Sequence, residues 1–101
     1  MKADVKITVI KKTLNQDLVE KYTESGDWKH CEKFREGQEF ISENVNMPSG
    51  FCSWAWADIQ KYVLALARGA KLVGVKSGVC ITCCTDGFRP VIFKLEKINE
   101  V

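Results

Sequence analysis

The residues of this sequence that are best suited to chemistry are its cysteines, which number five in 101 residues. Because five is an odd number, at least one thiol stays unpaired in a monomer. The first segment, MKADVKITVIKK, is interrupted by lysines and lacks the apolar run of a signal peptide, and no stretch approaches the roughly 18 apolar residues of a membrane span. We therefore expect a cytoplasmic protein with no membrane partner, whose thiols are kept reduced.

Cys80 and Cys83 form a C-x-x-C motif, a pattern that binds metals or carries redox chemistry in other proteins. Here the motif falls in a predicted strand, where side chains three positions apart point to opposite faces. The two sulfurs are therefore not expected to bind one ion, and Cys80 does not begin a helix, as a thioredoxin-like thiol does. We expect both residues to pack as small apolar side chains.

The other three cysteines, Cys31, Cys52 and Cys84, each lie at the end of a predicted element, where functional groups tend to gather. If these ends meet in the fold, three thiolates would suit zinc or iron, with His30 or Asp86 as a fourth ligand. The alternative is three unrelated thiols. Cys52 also lies just before the longest predicted helix, whose N-terminal end favours a thiolate, so it is a candidate nucleophile.

A second group of candidates is aromatic or charged and is assigned to a pocket or an interface: Phe51, Trp54, Trp56, Asp58 and Arg89. Trp54 and Trp56 lie about 200° apart on a helix, so at most one of them can face the core fully. Asp58 is the candidate of this group for a catalytic carboxylate. The alternatives are plain helix packing for the tryptophans and a surface ion pair with Asp86 for Arg89.

The first half of the chain is predicted to contain two strands and a short helix, which must position Cys31. Apolar and polar residues alternate over 5–10, which indicates a half-buried strand. Asn15 is a candidate N-cap for a short helix over 16–21. After a polar loop, a further strand is predicted to end near Ser42.

The clearest element is a helix over 54–68, which Ser53 can cap and Gly69 can close in a left-handed conformation. Its apolar residues form a stripe too broad for one contact surface: Ala55, Trp56, Ile59, Tyr62, Val63, Leu64, Leu66 and Ala67. One small sheet covers only part of such a stripe. We therefore expect a homo-oligomer, most simply a symmetric dimer.

Two strands over 79–84 and 90–98 flank Asp86-Gly87, a strong hairpin signal. A two-residue turn pairs Cys84 with Arg89, whereas a three-residue loop pairs Cys84 with Phe88. The second register is preferred because it gathers apolar residues on one face, namely Val79, Ile81, Cys83, Val91, Phe93 and Leu95.

Length and composition complete the fold prediction. The chain is 46% hydrophobic and 28% charged, with a net charge of +2, so a dedicated nucleic-acid binder is not expected. A chain of this length forms one domain. We predict a single α+β domain over 1–101, in which a small, mainly antiparallel sheet of about four strands with a C-terminal hairpin packs against one main helix.

Two runs carry a resemblance to a known family: Phe51–Ile59, with the pattern FCxWAWxDI, and Cys84–Lys94, with the pattern CxDGxRPVxFK. The chain resembles an uncharacterised family of small prokaryotic single-domain proteins with no assigned function. That resemblance implies shared cysteines at Cys31, Cys52 and Cys84 and none at Cys80 or Cys83. The family often has proline where this chain has Thr85, which would favour the three-residue turn.

Three functions follow from these candidates. The first is a small binding module whose cysteine site holds a metal or acts through reduced thiols. The second is a non-catalytic interaction or oligomerisation domain that uses the aromatic start of the long helix. The third is a small thiol-dependent enzyme with Cys52 as its nucleophile.

Overall fold

A computed structural model describes residues 3–100 as an antiparallel sheet packed against one long helix. The elements in chain order are β1 (Ala3–Lys12), α1 (Gln16–Tyr22), β2 (Glu39–Ser42), a 3-10 turn (Glu43–Val45), α2 (Ser53–Ala67), β3 (Val79–Cys83) and β4 (Val91–Glu100). The strand order across the sheet is β2-β1-β4-β3, and all neighbours are antiparallel. The predicted α+β class, the four strands and the C-terminal hairpin are thus confirmed.

One face of the sheet forms the core with α2. Val5, Ile7 and Val9 alternate with polar residues along β1 and are fully buried, and Ile7 and Val9 lie opposite Leu95 and Phe93 of β4. Apolar residues of α2 cover this face: Ala55, Ile59, Val63, Leu66 and Ala67. Each large side chain buried in this way contributes roughly 1.5–3 kcal/mol to folding.

The ends of α2 differ slightly from the sequence prediction. The N-cap is Cys52 and not Ser53, and its carbonyl accepts the N–H of Trp56 at 2.9 Å. At the other end Gly69 adopts a φ of +92°, the left-handed conformation that was predicted to close the helix. No helix among the described residues 3–100 is long and apolar enough to cross a membrane.

Four phenylalanines tie the irregular segments to this core. The ring of Phe34, in the long loop before β2, lies 5.1 Å from Phe51, 5.2 Å from Phe93 and 6.0 Å from Phe40. Phe51 directly precedes α2 and is buried like Phe34. Because edge-to-face ring contacts restrain both partners, the loop that carries Cys31 is held against the start of α2.

The hairpin pairing differs from the preferred prediction. Cys80 lies opposite Leu95 and Cys83 opposite Ile92, so the strands are connected by residues 85–90 and not by a tight turn. The buried face of β3 therefore carries Cys80, which is 2% exposed, whereas Ile81 is 53% exposed on the other face. Cys80 packs as expected, but the same expectation for Cys83 is wrong because Cys83 is exposed.

Contacts from other elements explain the wider loop. Asn15 donates its backbone N–H to Phe88 O at 2.8 Å and its side-chain amide to Gly87 O at 2.7 Å. The side chain of Asn15 therefore binds the loop and does not cap α1. Pro90 has no N–H with which to extend the β3–β4 ladder. The loop is thus shaped by long-range hydrogen bonds and not by the local Asp86-Gly87 signal.

Thiol labelling of the native protein tests this register. We expect iodoacetamide to modify Cys83 first and Cys80 last, because Cys83 is exposed, whereas burial raises the pKa of the Cys80 thiol. At a given pH, the reactive thiolate of Cys80 is therefore scarcer than that of an ordinary thiol. Peptide mass spectrometry after timed quenching gives the two rates.

The unfolded protein provides the control, since both cysteines should react alike in urea. In the register preferred from the sequence, Cys83 would lie on the buried face and Cys80 on the open one. Faster native labelling of Cys80 than of Cys83 would therefore contradict the strand pairing described above.

Candidate functional site

Cys31, Cys52 and Cys84 line a single cleft with a volume of about 900 Å³. They reach it from the loop before β2, from the N-cap of α2 and from the end of β3, respectively. All three are half-buried and none forms a disulfide. We call this cavity the thiol cleft. Cys31 does not lie at the end of an element as predicted, because the loop that carries it runs on to β2, which begins only at Glu39.

The sulfur of Cys84 has a fixed position in the wall of the thiol cleft. The N–H of Cys84 donates to Val91 O at 3.2 Å, and the N–H of Val91 donates to the Cys84 Sγ at 3.3 Å. The backbone bond from Cys84 to Val91 continues the β3–β4 ladder for one more residue. Cys80, Thr82 and Cys84 are two residues apart, so their side chains point to the same side of the sheet. Because Cys80 is buried in the core, Cys84 also lies on the core side.

Cys52 lies at the opposite wall, where α2 begins. Its backbone is extended (φ −71°, ψ 122°) and its side chain makes no capping hydrogen bond. The positive end of the helix dipole is therefore at this residue. Its thiol is left available to the thiol cleft, which Ser53, Trp54 and Ala55 of the first helical turn also line.

The loop over 85–90 forms the third wall and is held by two carboxylates. Asp58 accepts the backbone N–H of Thr85 at 2.8 Å and the Thr85 hydroxyl at 3.0 Å, which ties the loop to α2. Asp86 accepts the backbone N–H of Phe88 at 3.0 Å and forms an ion pair with Arg89 at 3.2 Å. Both carboxylates therefore have structural partners.

Aromatic rings close this wall. Arg89 stacks over the ring of Trp28 at 5.0 Å, and the same indole meets Phe88 edge-on at 5.1 Å. Arg89 thus contacts both Asp86 and Trp28, which links the loop over 85–90 to the segment that carries Cys31. Cation–π contacts of this kind hold a guanidinium at a defined position.

The remaining sequence candidates divide into two groups. Phe51, Trp54, Asp58 and Arg89 line the thiol cleft, and so does Asp86. Trp56 is half-buried against the core, with its ring 6.3 Å from that of Phe51, and is not among the lining residues. His30 is exposed and is likewise not part of the lining.

The proposed metal ligands do not form a ready coordination sphere. Within the part of the chain that the structure describes, no three His, Cys, Asp or Glu side chains are grouped so that they could hold an ion. The zinc or iron site at Cys31, Cys52 and Cys84 therefore stays a prediction from the sequence. The structure assigns the three residues to one cleft and leaves their ligand open.

The lining residues that were not predicted from the sequence include Trp28, Lys33, Phe34 and Phe88. A local signal exists for two of them, because Trp28 and Phe34 each lie three residues from Cys31. Phe88 directly follows the Asp86-Gly87 pair, which was interpreted only as a turn. None of these signals shows that the residues share a cavity, since that depends on the long-range ring contacts of Phe34 and Trp28.

Comparisons of the chain with models of known families, with curated proteins and with solved structures find no match. The resemblance to an uncharacterised prokaryotic family therefore stays a prediction. The function has to be argued from the geometry of the thiol cleft.

The contact between Asp58 and Thr85 yields a stability prediction. We expect Asp58→Ala to lower the free energy of unfolding by about 1–2 kcal/mol, because it removes hydrogen bonds from a charged acceptor to the loop. Urea denaturation followed by tryptophan fluorescence measures the change.

Asp27→Ala is the matched control for this variant. Asp27 is exposed and its carboxylate has no partner among residues 3–100, so its removal should change stability by no more than about 0.5 kcal/mol. Equal stability of the Asp58 and Asp27 variants would show that Asp58 does not hold the loop.

Proposed function

We propose that this protein is a binding module whose ligand site is the thiol cleft and whose ligand contacts the reduced thiols of Cys31, Cys52 and Cys84. One observation carries the proposal: three cysteines from separate segments line the same cavity of about 900 Å³. Packing alone explains a buried thiol such as Cys80, but it does not explain three half-buried thiols around one opening.

Binding is favoured over catalysis because, within the described residues 3–100, the carboxylates that line the thiol cleft already have partners. Both oxygens of Asp58 and both of Asp86 already accept hydrogen bonds from the loop. His30 is exposed and does not line the thiol cleft. A nucleophilic Cys52 would therefore lack the partner that normally removes the thiol proton in thiol enzymes.

Two further expectations belong to the proposal. A cytoplasmic location would keep the three thiols reduced, which ligand contact through sulfur requires. A homodimer would cover apolar side chains of α2 that the sheet leaves exposed, such as Leu64.

Competition among the three thiols tests the proposed site. In the Cys83→Ser variant, we expect a bulky maleimide such as fluorescein-5-maleimide to stop at one adduct per native chain, because the first adduct fills the cavity that the three thiols share. Iodoacetamide, which is small, should continue to modify Cys31, Cys52 and Cys84. Intact-protein mass spectrometry counts the adducts.

The urea-unfolded variant is the control, because it should accept the bulky reagent at every remaining cysteine. Accumulation of native chains with two or three bulky adducts, formed at independent rates, would contradict a shared site. So would a native chain in which only one of the three thiols reacts with iodoacetamide.

A further inference from the structure

The thiol cleft is much larger than three sulfur atoms require. Its volume of about 900 Å³ falls within the range of cavities that enclose organic ligands, roughly 300–1,000 Å³. A bare metal ion occupies less space than a water molecule, roughly 30 Å³, and would leave most of the cavity to solvent. The side chains around the sulfurs therefore indicate which shape and charge the rest of the ligand must have.

Five of those side chains are aromatic: Trp28, Phe34, Phe51, Trp54 and Phe88. Phe34 and Phe51 are buried and form a fixed apolar wall. Trp54 lies on the first turn of α2 and is 83% exposed, and its indole takes part in none of the ring contacts found among residues 3–100. An uncovered indole beside an apolar wall is suited to stacking against a flat ligand.

The polar groups that remain uncommitted in the thiol cleft are hydrogen-bond donors. The acceptors, Asp58 and Asp86, are occupied by Thr85, by Arg89 and by backbone N–H groups of the loop. Lys33 and Ser53 also line the cavity, and within residues 3–100 neither side chain has a hydrogen bond or an ion pair. A free ammonium without an acceptor favours a ligand that carries acidic oxygens.

We infer that the ligand of the thiol cleft is an organic acid with a flat aromatic or conjugated body. Its ring system stacks on Trp54 and lies against Phe34 and Phe51, and its acidic group accepts from Lys33. This inference rests on the proposed function, because the same ligand contacts the sulfurs. It adds the shape and the charge that the ligand must have.

Two aromatic disulfides of different charge serve as probes. Dithiobis(nitrobenzoate) carries a carboxylate on each ring, whereas dithiodipyridine is flat and neutral. With either reagent a protein thiolate attacks one sulfur, the reagent's S–S bond breaks, and one aromatic thiolate leaves while a mixed disulfide forms on the protein. Released thiolate, followed by absorbance in the full-length Cys83→Ser variant, gives the labelling rate of the cleft thiols.

The charge of the ligand is tested by Lys33→Glu. We expect this variant to react about five- to tenfold more slowly with dithiobis(nitrobenzoate) than its parent, because a nearby charge is reversed, and to be slowed much less with the neutral dithiodipyridine. Lys71→Glu is the matched control: Lys71 is exposed and lies outside the thiol cleft, so it changes the net charge equally without altering the cavity. Equal effects of the two variants would overturn the assignment of Lys33.

The flat body is tested by Trp54→Ala, which removes an exposed side chain and should leave the fold intact. We expect both aromatic reagents to react several-fold more slowly with this variant, and Trp54→Phe to restore most of the rate. Methyl methanethiolsulfonate, a small aliphatic reagent, should react equally with all three proteins. Unchanged aromatic rates in Trp54→Ala would overturn the inference.

The small reagent also separates this inference from the proposed function. If it labels Cys31, Cys52 and Cys84 while the aromatic acid has no advantage from Lys33 and Trp54, the thiol site stands and the ligand class is wrong. If it does not reach these three sulfurs in the native protein, the proposed thiol site itself is wrong.

Discussion

A single helix has to cover one face of a four-stranded sheet, and most of the remaining structure follows from that constraint. At 1.5 Å per residue, the 15 residues of α2 span only about 22 Å, so the helix cannot cover the whole face. The loop before β2 and the segment before α2 complete the cover by inserting Phe34 and Phe51. Because these segments converge on the start of α2, Cys31 and Cys52 reach the same region.

The end of β3 reaches that region for a related reason. Asp58 accepts a hydrogen bond from Thr85, and Asn15 donates hydrogen bonds to the carbonyl oxygens of Gly87 and Phe88. These contacts hold the loop over 85–90 beside the first turns of α2. A tight turn would have kept this loop at the end of the hairpin. The open loop leaves the thiol cleft between itself and α2, with Cys84 on its wall.

The elements with strong periodicity were predictable from the sequence, and those set by long-range contacts were not. Alternation along β1 and the apolar stripe of α2 reflect burial, which the residue pattern records directly. The hairpin register was mispredicted because it depends on Asp58 and Asn15, which lie far from the turn in sequence. Asp86-Gly87 therefore suggested a local turn that tertiary hydrogen bonds override.

The candidate site shows the same division. Cys31, Cys52 and Cys84 were selected because they were predicted to lie at element ends. Cys52 and Cys84 do so, and the contact of Phe34 with Phe51 brings the loop of Cys31 to the same cleft. Lys33 and Phe88 give no comparable signal in the sequence, since their role depends on which segments form the walls. The side chains of the C-x-x-C motif are separated as predicted, because the strand directs Cys80 into the core and Cys83 to the opposite face.

The central claim is that three thiols face one ligand cavity, and heavy-atom labelling of crystals tests it most directly. After reaction of the Cys83→Ser variant with methylmercury, the anomalous difference map should place mercury on Cys31, Cys52 and Cys84 inside the cavity bounded by Trp54 and Phe88. Cys80 should remain unlabelled in the core. Mercury sites on separate surfaces of the molecule, with none between α2 and the loop over 85–90, would contradict the account.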